Sequence, residues 1–220
     1  MVTRNPLMKK FLIACGIFLT CNCALDAQIL ATTFDGDTVL LNSDGTWAYL
    51  DTSDLVDEIL PINPEKFLKP STAKENYKGI SKSYQIWYHE KEWARLDPKN
   101  LNPLAEVALK SNDMDAYGML IYESMEASSQ TLADIAIIQA RKTASDLTVL
   151  SKEIRKVNGK DMVALEMTGK IQGIDIYYYN YYYSGPEGSI QYLCFTTAKA
   201  SDGLKPKMED LLNGLMILSN

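Results

Sequence analysis

The chain is 220 residues long, a length suited to one domain or two, and 46% apolar with 23% charged residues, the make-up of a packed globular protein and not of a disordered one. Its formal charge of −6 excludes a grip on nucleic acid that works by neutralising phosphates. A single histidine, His89, excludes multi-histidine metal sites and leaves one candidate for any histidine-dependent triad.

The first element is a targeting segment. Met8-Lys9-Lys10 precedes the uncharged apolar run from Phe11 to Leu19, a basic region followed by an apolar one too short to cross a bilayer of about 30 Å. Ala27 supplies the small residue that a signal peptidase needs, so residues 1–27 are read as a signal peptide cleaved after Ala27. The mature protein is then periplasmic or secreted, with no transmembrane helix. Lipid anchoring is the alternative, because Leu12-Ile13-Ala14-Cys15 resembles a lipobox. Only four apolar residues separate Lys10 from Cys15, however, and Cys21 follows poorly suited residues. Cleavage removes Cys15, Cys21 and Cys23, leaving Cys194 alone. Without an internal disulfide, the core must hold the mature protein together unaided.

Residues 28–50 form a small β-hairpin module. Thr33–Leu41 and Thr46–Tyr49 flank an Asp44-Gly45 turn, with Val, Leu, Thr and Trp on both sides. Residues 51–79, with Pro61, Pro64, Pro70 and scattered charges, are read as a linker. From residue 80 to 220 the pattern is that of one α+β domain. Tyr84–Tyr88 is a strand, with Trp93 in a less regular stretch. Leu104–Lys110 and Ala116–Glu123 form a hairpin. Residues 130–145 place Leu132, Ile135, Ala136, Gln139, Ala140 and Thr143 at helical spacing, with Thr131 and Asp134 as a capping pair. Leu147–Val157 and Met162–Thr168 meet at Asn158-Gly159, a strong hairpin signal, and Ile174–Ser184 and Ser189–Thr197 meet at Gly185–Gly188. A closing helix, Lys207–Leu218, starts at Pro206 and carries Met208, Leu211, Leu212, Leu215 and Leu218 on one face. The order β-β-β-α-β-β-β-β-α predicts an antiparallel sheet with amphipathic helices packed on it.

Residues 84–218 resemble the PsbP-like superfamily, whose exported bacterial members include the DcrB type. The resemblance rests on Ala116-Tyr117-Gly118-Met119-Leu120-Ile121 before the first helix and on the Val157-Asn158-Gly159-Lys160 hairpin. It also rests on the Gly185–Gly188 turn with its following strand and on the amphipathic closing helix. It implies a PsbP-like α/β sandwich and a non-enzymatic binding or assembly role, and it carries over no functional residue.

The most unusual stretch is Tyr177-Tyr178-Tyr179-Asn180-Tyr181-Tyr182-Tyr183. At period two, Asp175, Tyr177, Tyr179, Tyr181 and Tyr183 share one face of a strand, and Ile174, Ile176, Tyr178, Asn180 and Tyr182 the other. The isoleucine face suits a core under a helix. The odd-numbered face is the candidate binding surface, since stiff rings with polar tips suit sugars or a protein. Against this stands a sheet covered on both sides, which buries both faces. His89, beside Glu90 and Glu92, reads as a solvated strand end, and Cys194, alternating with Ile190 and Tyr192, as a buried small hydrophobe. Asp35, Asp37 and Asp44, like Asp113 and Asp115, belong to turns, not to a calcium loop. No metal and no cofactor is expected. The reading is an exported non-catalytic protein that binds a protein or glycan partner in the cell envelope. The alternatives are carbohydrate binding on the tyrosine strand and an envelope hydrolase built on His89.

Overall fold

The computed structural model describes residues 29–32, 38–41, 46–49 and 58–218, which divide into a unit within Met1–Val56 and one spanning Asp57–Asn220. The signal segment, the lipobox cysteines and the Asp35, Asp37 and Asp44 turns lie outside the described residues. The first unit is an antiparallel meander of β1 (Ile29–Thr32), β2 (Thr38–Leu41) and β3 (Trp47–Tyr49). The expected hairpin is β2 with β3, which pair Val39 with Tyr49 and Leu41 with Trp47. Strand β1, next to the expected cleavage site, adds a third strand to that hairpin.

The second unit runs β4 (Ile62–Phe67), β5 (Glu75–Lys78), β6 (Tyr84–Tyr88), β7 (Trp93–Leu96), β8 (Val107–Ser111), β9 (Ala116–Glu123), α1 (Ser129–Thr143), β10 (Thr148–Val157), β11 (Lys160–Ile171), β12 (Ile174–Gly185), β13 (Gly188–Thr197), α2 (Ser201–Asn213) and β14 (Leu215–Ile217). An eight-stranded sheet has the order β4-β10-β11-β12-β13-β9-β8-β7, and a three-stranded sheet the order β14-β6-β5. All pairings are antiparallel except β4 with β10. The central strands are long and tightly registered because their turns are well specified. Asn158 (φ 48°) and Gly159 (φ 89°) both take the left-handed conformation of a two-residue hairpin.

Period two decides what each helix covers. Val163, Leu165 and Met167 of β11 stand opposite Tyr182, Asn180 and Tyr178 of β12, and α1 lies on these two strands through buried Leu132, Ala133 and Ile137. The opposite face carries Met162, Ala164, the odd-numbered tyrosines of β12, and Ile190, Tyr192 and Cys194 of β13. Leu204, Met208, Leu211 and Leu212 of α2 cover it, together with Tyr84 and Ile86 of the small sheet and Leu215. Gly118 of β9 makes room for the helix: a Cβ there would stand 2.8 Å from Leu211 Cδ2. The result is an α+β sandwich in which α1 covers β11 and β12 on one face and α2 with the small sheet covers the other.

Several expectations need correction. Residues 51–79 are not a linker throughout, since β4 and β5 lie within them and β4 joins the large sheet. Pro64 is tolerated there because β4 is an edge strand and its outer side needs no donor. Tyr84–Tyr88 belongs to the second, smaller sheet, so the unit has two sheets, and Trp93 opens a true strand, β7. Helix α1 is capped by Ser128, whose Oγ accepts from the Thr131 amide at 2.9 Å, while Asp134 instead pairs with Lys152 of β10. Its buried stripe is rotated toward Ala133 and Ile137, leaving Thr143 exposed.

Helix α2 spans 201–213, not 207–218, and contains Pro206. The apolar spacing Leu204, Met208, Leu211 and Leu212 begins ahead of the proline, and burial of Leu204 outweighs the backbone hydrogen bond that Pro206 removes. The helix stops at Gly214 because the backbone there presses on β6. A Cβ at that position would stand 1.9 Å from the Trp87 carbonyl oxygen, so only glycine permits the turn into β14.

Candidate functional site

The tyrosine strand sits at the centre of the large sheet, between β11 and β13. Tyr179 and Tyr181 are 0% exposed and Tyr177 and Tyr183 are 5% exposed, so the expected open ladder is instead the floor of the core beneath α2 and the small sheet. The physical reason is that amphipathic elements lie on both faces of the sheet. Asp175, at the end of the strand, is exposed and lies 3.5 Å from Lys170. It contributes no binding surface in company with the rings.

Buried hydroxyls need partners. Each of the four finds one among charged or amide side chains, from the adjacent turn for Tyr183 and from neighbouring strands or α2 for the other three. Tyr177 donates to Glu166 Oε2 at 2.6 Å, and Lys205 of α2 donates to both oxygens of the same carboxylate at 2.8 and 2.9 Å. Tyr179 accepts from Arg155 Nη1 and donates to Glu209 of α2 at 3.1 Å. Tyr181 donates to Asn213 Oδ1 at 2.9 Å and accepts from Arg155 at 3.4 Å. Tyr183 donates to Glu187, which also takes Lys160 Nζ at 2.7 Å.

Arg155 is the hub. On β10 it faces the same side as the ladder, and it reaches across β11 over Ala164, whose small side chain lies between Glu153 and Tyr181. Its guanidinium pairs with Glu153 and with Glu209 at 3.4 Å, and it stacks over Phe67 at 4.3 Å. The planar fork of five donors suits this divided duty.

The electrostatics follow from these contacts. Burial pushes the Glu166 carboxyl up, but the hydrogen bonds from Lys205 and Tyr177 outweigh it and hold the group below the ordinary carboxylate range. The Lys160 hydrogen bond, with that of Tyr183, draws Glu187 down to about 2. Burial raises Tyr177 and Tyr179 well above the ordinary phenol value, and raises Tyr181 to about 12 although Arg155 opposes the shift. This arrangement binds α2 to the sheet. Its acids are already ion-paired and its hydroxyls already donate inward, so its chemistry is that of a polar seam.

Sequence reading missed Arg155 and Glu166. A signal was present: both occupy inward-facing positions of period-two strands, where Val157, Met162 and Ala164 mark the buried side.

His89 is half-exposed in the turn after β6, its Nδ1 3.8 Å from Glu92 Oε1. Cys194 is fully buried opposite Tyr179, and burial raises its thiol far from the reactive range. Asp113 and Asp115 lie in the turn between β8 and β9. Among the described residues no group of three or more His, Cys, Asp or Glu is arranged to hold a metal ion, and no helix is long and apolar enough to cross a membrane.

Among the described residues several large aliphatic side chains are exposed, Leu68 and Ile80 singly and three others at or beside the β4 edge. Ile59 is 96% exposed, Ile62 74% and Leu150 52%. Residues 58–62 run beside β10: Ile62 pairs with Ile154, the Pro61 carbonyl accepts from the Ile154 amide, and Glu58 lies 3.8 Å from Lys152, two residues beyond Leu150 in the same strand. Leu150 occupies the bulge where the β10–β11 register shifts between Val149 and Ser151.

Among solved structures, the cyanobacterial PsbP (CyanoP) of Synechocystis sp. PCC 6803 is similar, with a TM-score of 0.50 at 12% identity over 67% of this protein and 94% of that one. The protein has a PsbP-like fold. A Bacteroides thetaiotaomicron structure is also similar (TM-score 0.45, 12% identity, 68% of this protein and 50% of that one), as is the Pseudomonas aeruginosa protein PA94 of unknown function (TM-score 0.44, 10% identity, 88% and 99%). No family model matches the sequence, and no curated protein matches it.

Proposed function

We propose that the protein is exported and non-catalytic, that it holds a protein partner at the cell envelope, and that it does so with the β4 edge. The observation that carries this reading is the exposure of Ile59, Ile62 and Leu150 beside a rim of charges. Lys152 pairs with Asp134 and Glu58, and Asn63 donates to Glu153 at 3.1 Å. Aliphatic residues ringed by satisfied polar groups have the make-up of a protein interface. The patch has no aromatic ring on which a sugar would stack, and a protein of charge −6 is repelled by an anionic lipid surface. The partner meets side chains and not the strand's backbone edge, which Pro64, Glu65 and Lys66 protect against strand addition. A PsbP-like fold supports the accessory role that the sequence resemblance implies.

The test is photo-crosslinking from a reactive amino acid placed in turn at positions 59, 62 and 150 of the exported protein, with position 175 as the control. The expected result is a common adduct from the three patch positions, absent at 175 and lost when Ile62→Asp is combined with the label at 59. No adduct, or the same adduct from 175, contradicts the reading.

A further inference from the structure

The sequence contains two Asn-Gly dipeptides, Asn158-Gly159 and Asn213-Gly214, and the fold brings them to one joint. Asn158 is more than a turn residue. Its Nδ2 donates to the carbonyl oxygens of Asn213 at 2.8 Å and Leu215 at 2.7 Å, and its Oδ1 accepts from the Lys69 amide at 2.8 Å. Its own amide donates to the Phe67 carbonyl at 2.8 Å. One residue thus ties the end of β4, the β10–β11 hairpin, the end of α2 and the start of β14. Across the joint, Asn213 Oδ1 accepts from Tyr181, the Gly214 amide donates to Leu211 at 3.0 Å, and the Gly214 carbonyl accepts from Trp87 at 2.9 Å.

An asparagine followed by glycine is chemically exposed, because no Cβ keeps the glycine nitrogen from the preceding side group. The deprotonated glycine amide nitrogen attacks Cγ of the asparagine. A new bond from that nitrogen to Cγ closes a five-membered imide, and the Cγ–Nδ2 bond breaks to release ammonia. Water then opens the imide to aspartate or isoaspartate, so the net change consumes water and liberates ammonia. With Asn158 fixed by three side-group hydrogen bonds, that approach requires the joint to open first. The product is also different in kind. A carboxylate has no N–H for the Asn213 and Leu215 carbonyls, and its negative oxygens would face theirs in a part-buried site.

We propose that Asn158 is a modification site gated by folding: its deamidation is blocked while the joint is closed, proceeds when the joint opens, and prevents the joint from closing again. The opened protein is thereby marked in one direction, with water as the sole co-reactant.

The test incubates the full-length protein at mildly alkaline pH, native and in denaturing urea, and follows the tryptic peptides 157–160 and 208–220 by mass spectrometry. The expected result is conversion of Asn158 at least roughly tenfold slower in the native protein, since reaction must await local opening. The urea-treated protein is then diluted to refold, and the folded fraction is expected to be depleted of converted 157–160 peptide. The Asn158→Asp variant is expected to unfold at lower urea than the parent. Equal rates in native and denatured protein overturn the proposal. So does converted peptide in the folded fraction at its starting proportion, or an Asn158→Asp variant as stable as the parent.

Discussion

The tyrosine strand and the β4 edge exchange the roles that their compositions suggest. Residues 177–183 carry the aromatic, polar-tipped side chains of a recognition surface, yet they form the floor of the core. Residues 59–67 have the prolines and charges of a linker, yet they contain β4 and leave large aliphatic side chains in solvent. The difference lies in what each region meets. β12 is central and covered on both faces, so its phenol groups must be satisfied from inside, and Arg155, Glu166, Glu187 and Asn213 satisfy them. β4 is an edge with one neighbour, so Ile62 has little to pack against. Topology, more than residue type, decides which apolar surface is available to a partner.

The contrast is broken most severely at its hub. Arg155→Met leaves Tyr179, Tyr181, Glu153 and Glu209 without their shared donor, and about 3–5 kcal/mol of stability is expected to be lost, measured by urea unfolding. A loss below about 1 kcal/mol would mean that the seam is solvated and not sealed. Tyr181→Phe removes the hydroxyl between Arg155 and Asn213 and is expected to cost about 1–2 kcal/mol by the same measurement.

Acid acts on the seam with a sign that follows from its carboxylates. Glu166 and Glu187 have folded values below their ordinary ones, so their stabilisation is present above the ordinary carboxylate range and is lost as pH falls through the folded values, down to about 2 for Glu187. Glu123, raised by burial, and Asp210, raised by burial and by its neighbours Glu92 and Glu209, act in the opposite sense, and acid relieves them. The urea midpoint is therefore expected to fall between the ordinary carboxylate range and about pH 2, and Glu187→Gln is expected to flatten that fall. An unchanged slope in Glu187→Gln would remove Glu187 from the account.

The smallest expected effect on stability sharpens the other side of the comparison. Ile62→Asp lies on an exposed edge and is expected to change stability by no more than about 0.5 kcal/mol, while abolishing the crosslinked adduct. A large destabilisation would show that Ile62 packs inward.

Much of the fold was legible because its long hairpins are locally specified. Asn158-Gly159 and Gly185–Gly188 fix the turns, and period two then sorts β11 and β12 into their faces. The small sheet was not legible, since β14 pairs with β6 across most of the domain and Leu215 fits a helical stripe as well as a strand. The partners of the tyrosine hydroxyls were hidden for a similar reason. Arg155 meets Tyr179 across β11, so the pairing depends on the register of two successive strand pairs, which the hairpin signals place in order but do not fix residue by residue. Asn158 showed its turn chemistry in the sequence but not its side-group contacts with the end of α2 and with Leu215.

The sealing of the tyrosine strand is tested most directly by spectrophotometric titration of the native protein in alkali. Of 13 tyrosines, those of the ladder have folded values raised by burial, Tyr181 to about 12 and Tyr177 and Tyr179 higher. Their stabilising effect is complete below the ordinary phenol value and is lost as pH rises through the folded ones. A minor fraction of the phenolate signal near the ordinary value, with the rest rising together with loss of far-ultraviolet circular dichroism, is the predicted result. A single smooth curve near the ordinary phenol value, with the secondary structure intact, would contradict it.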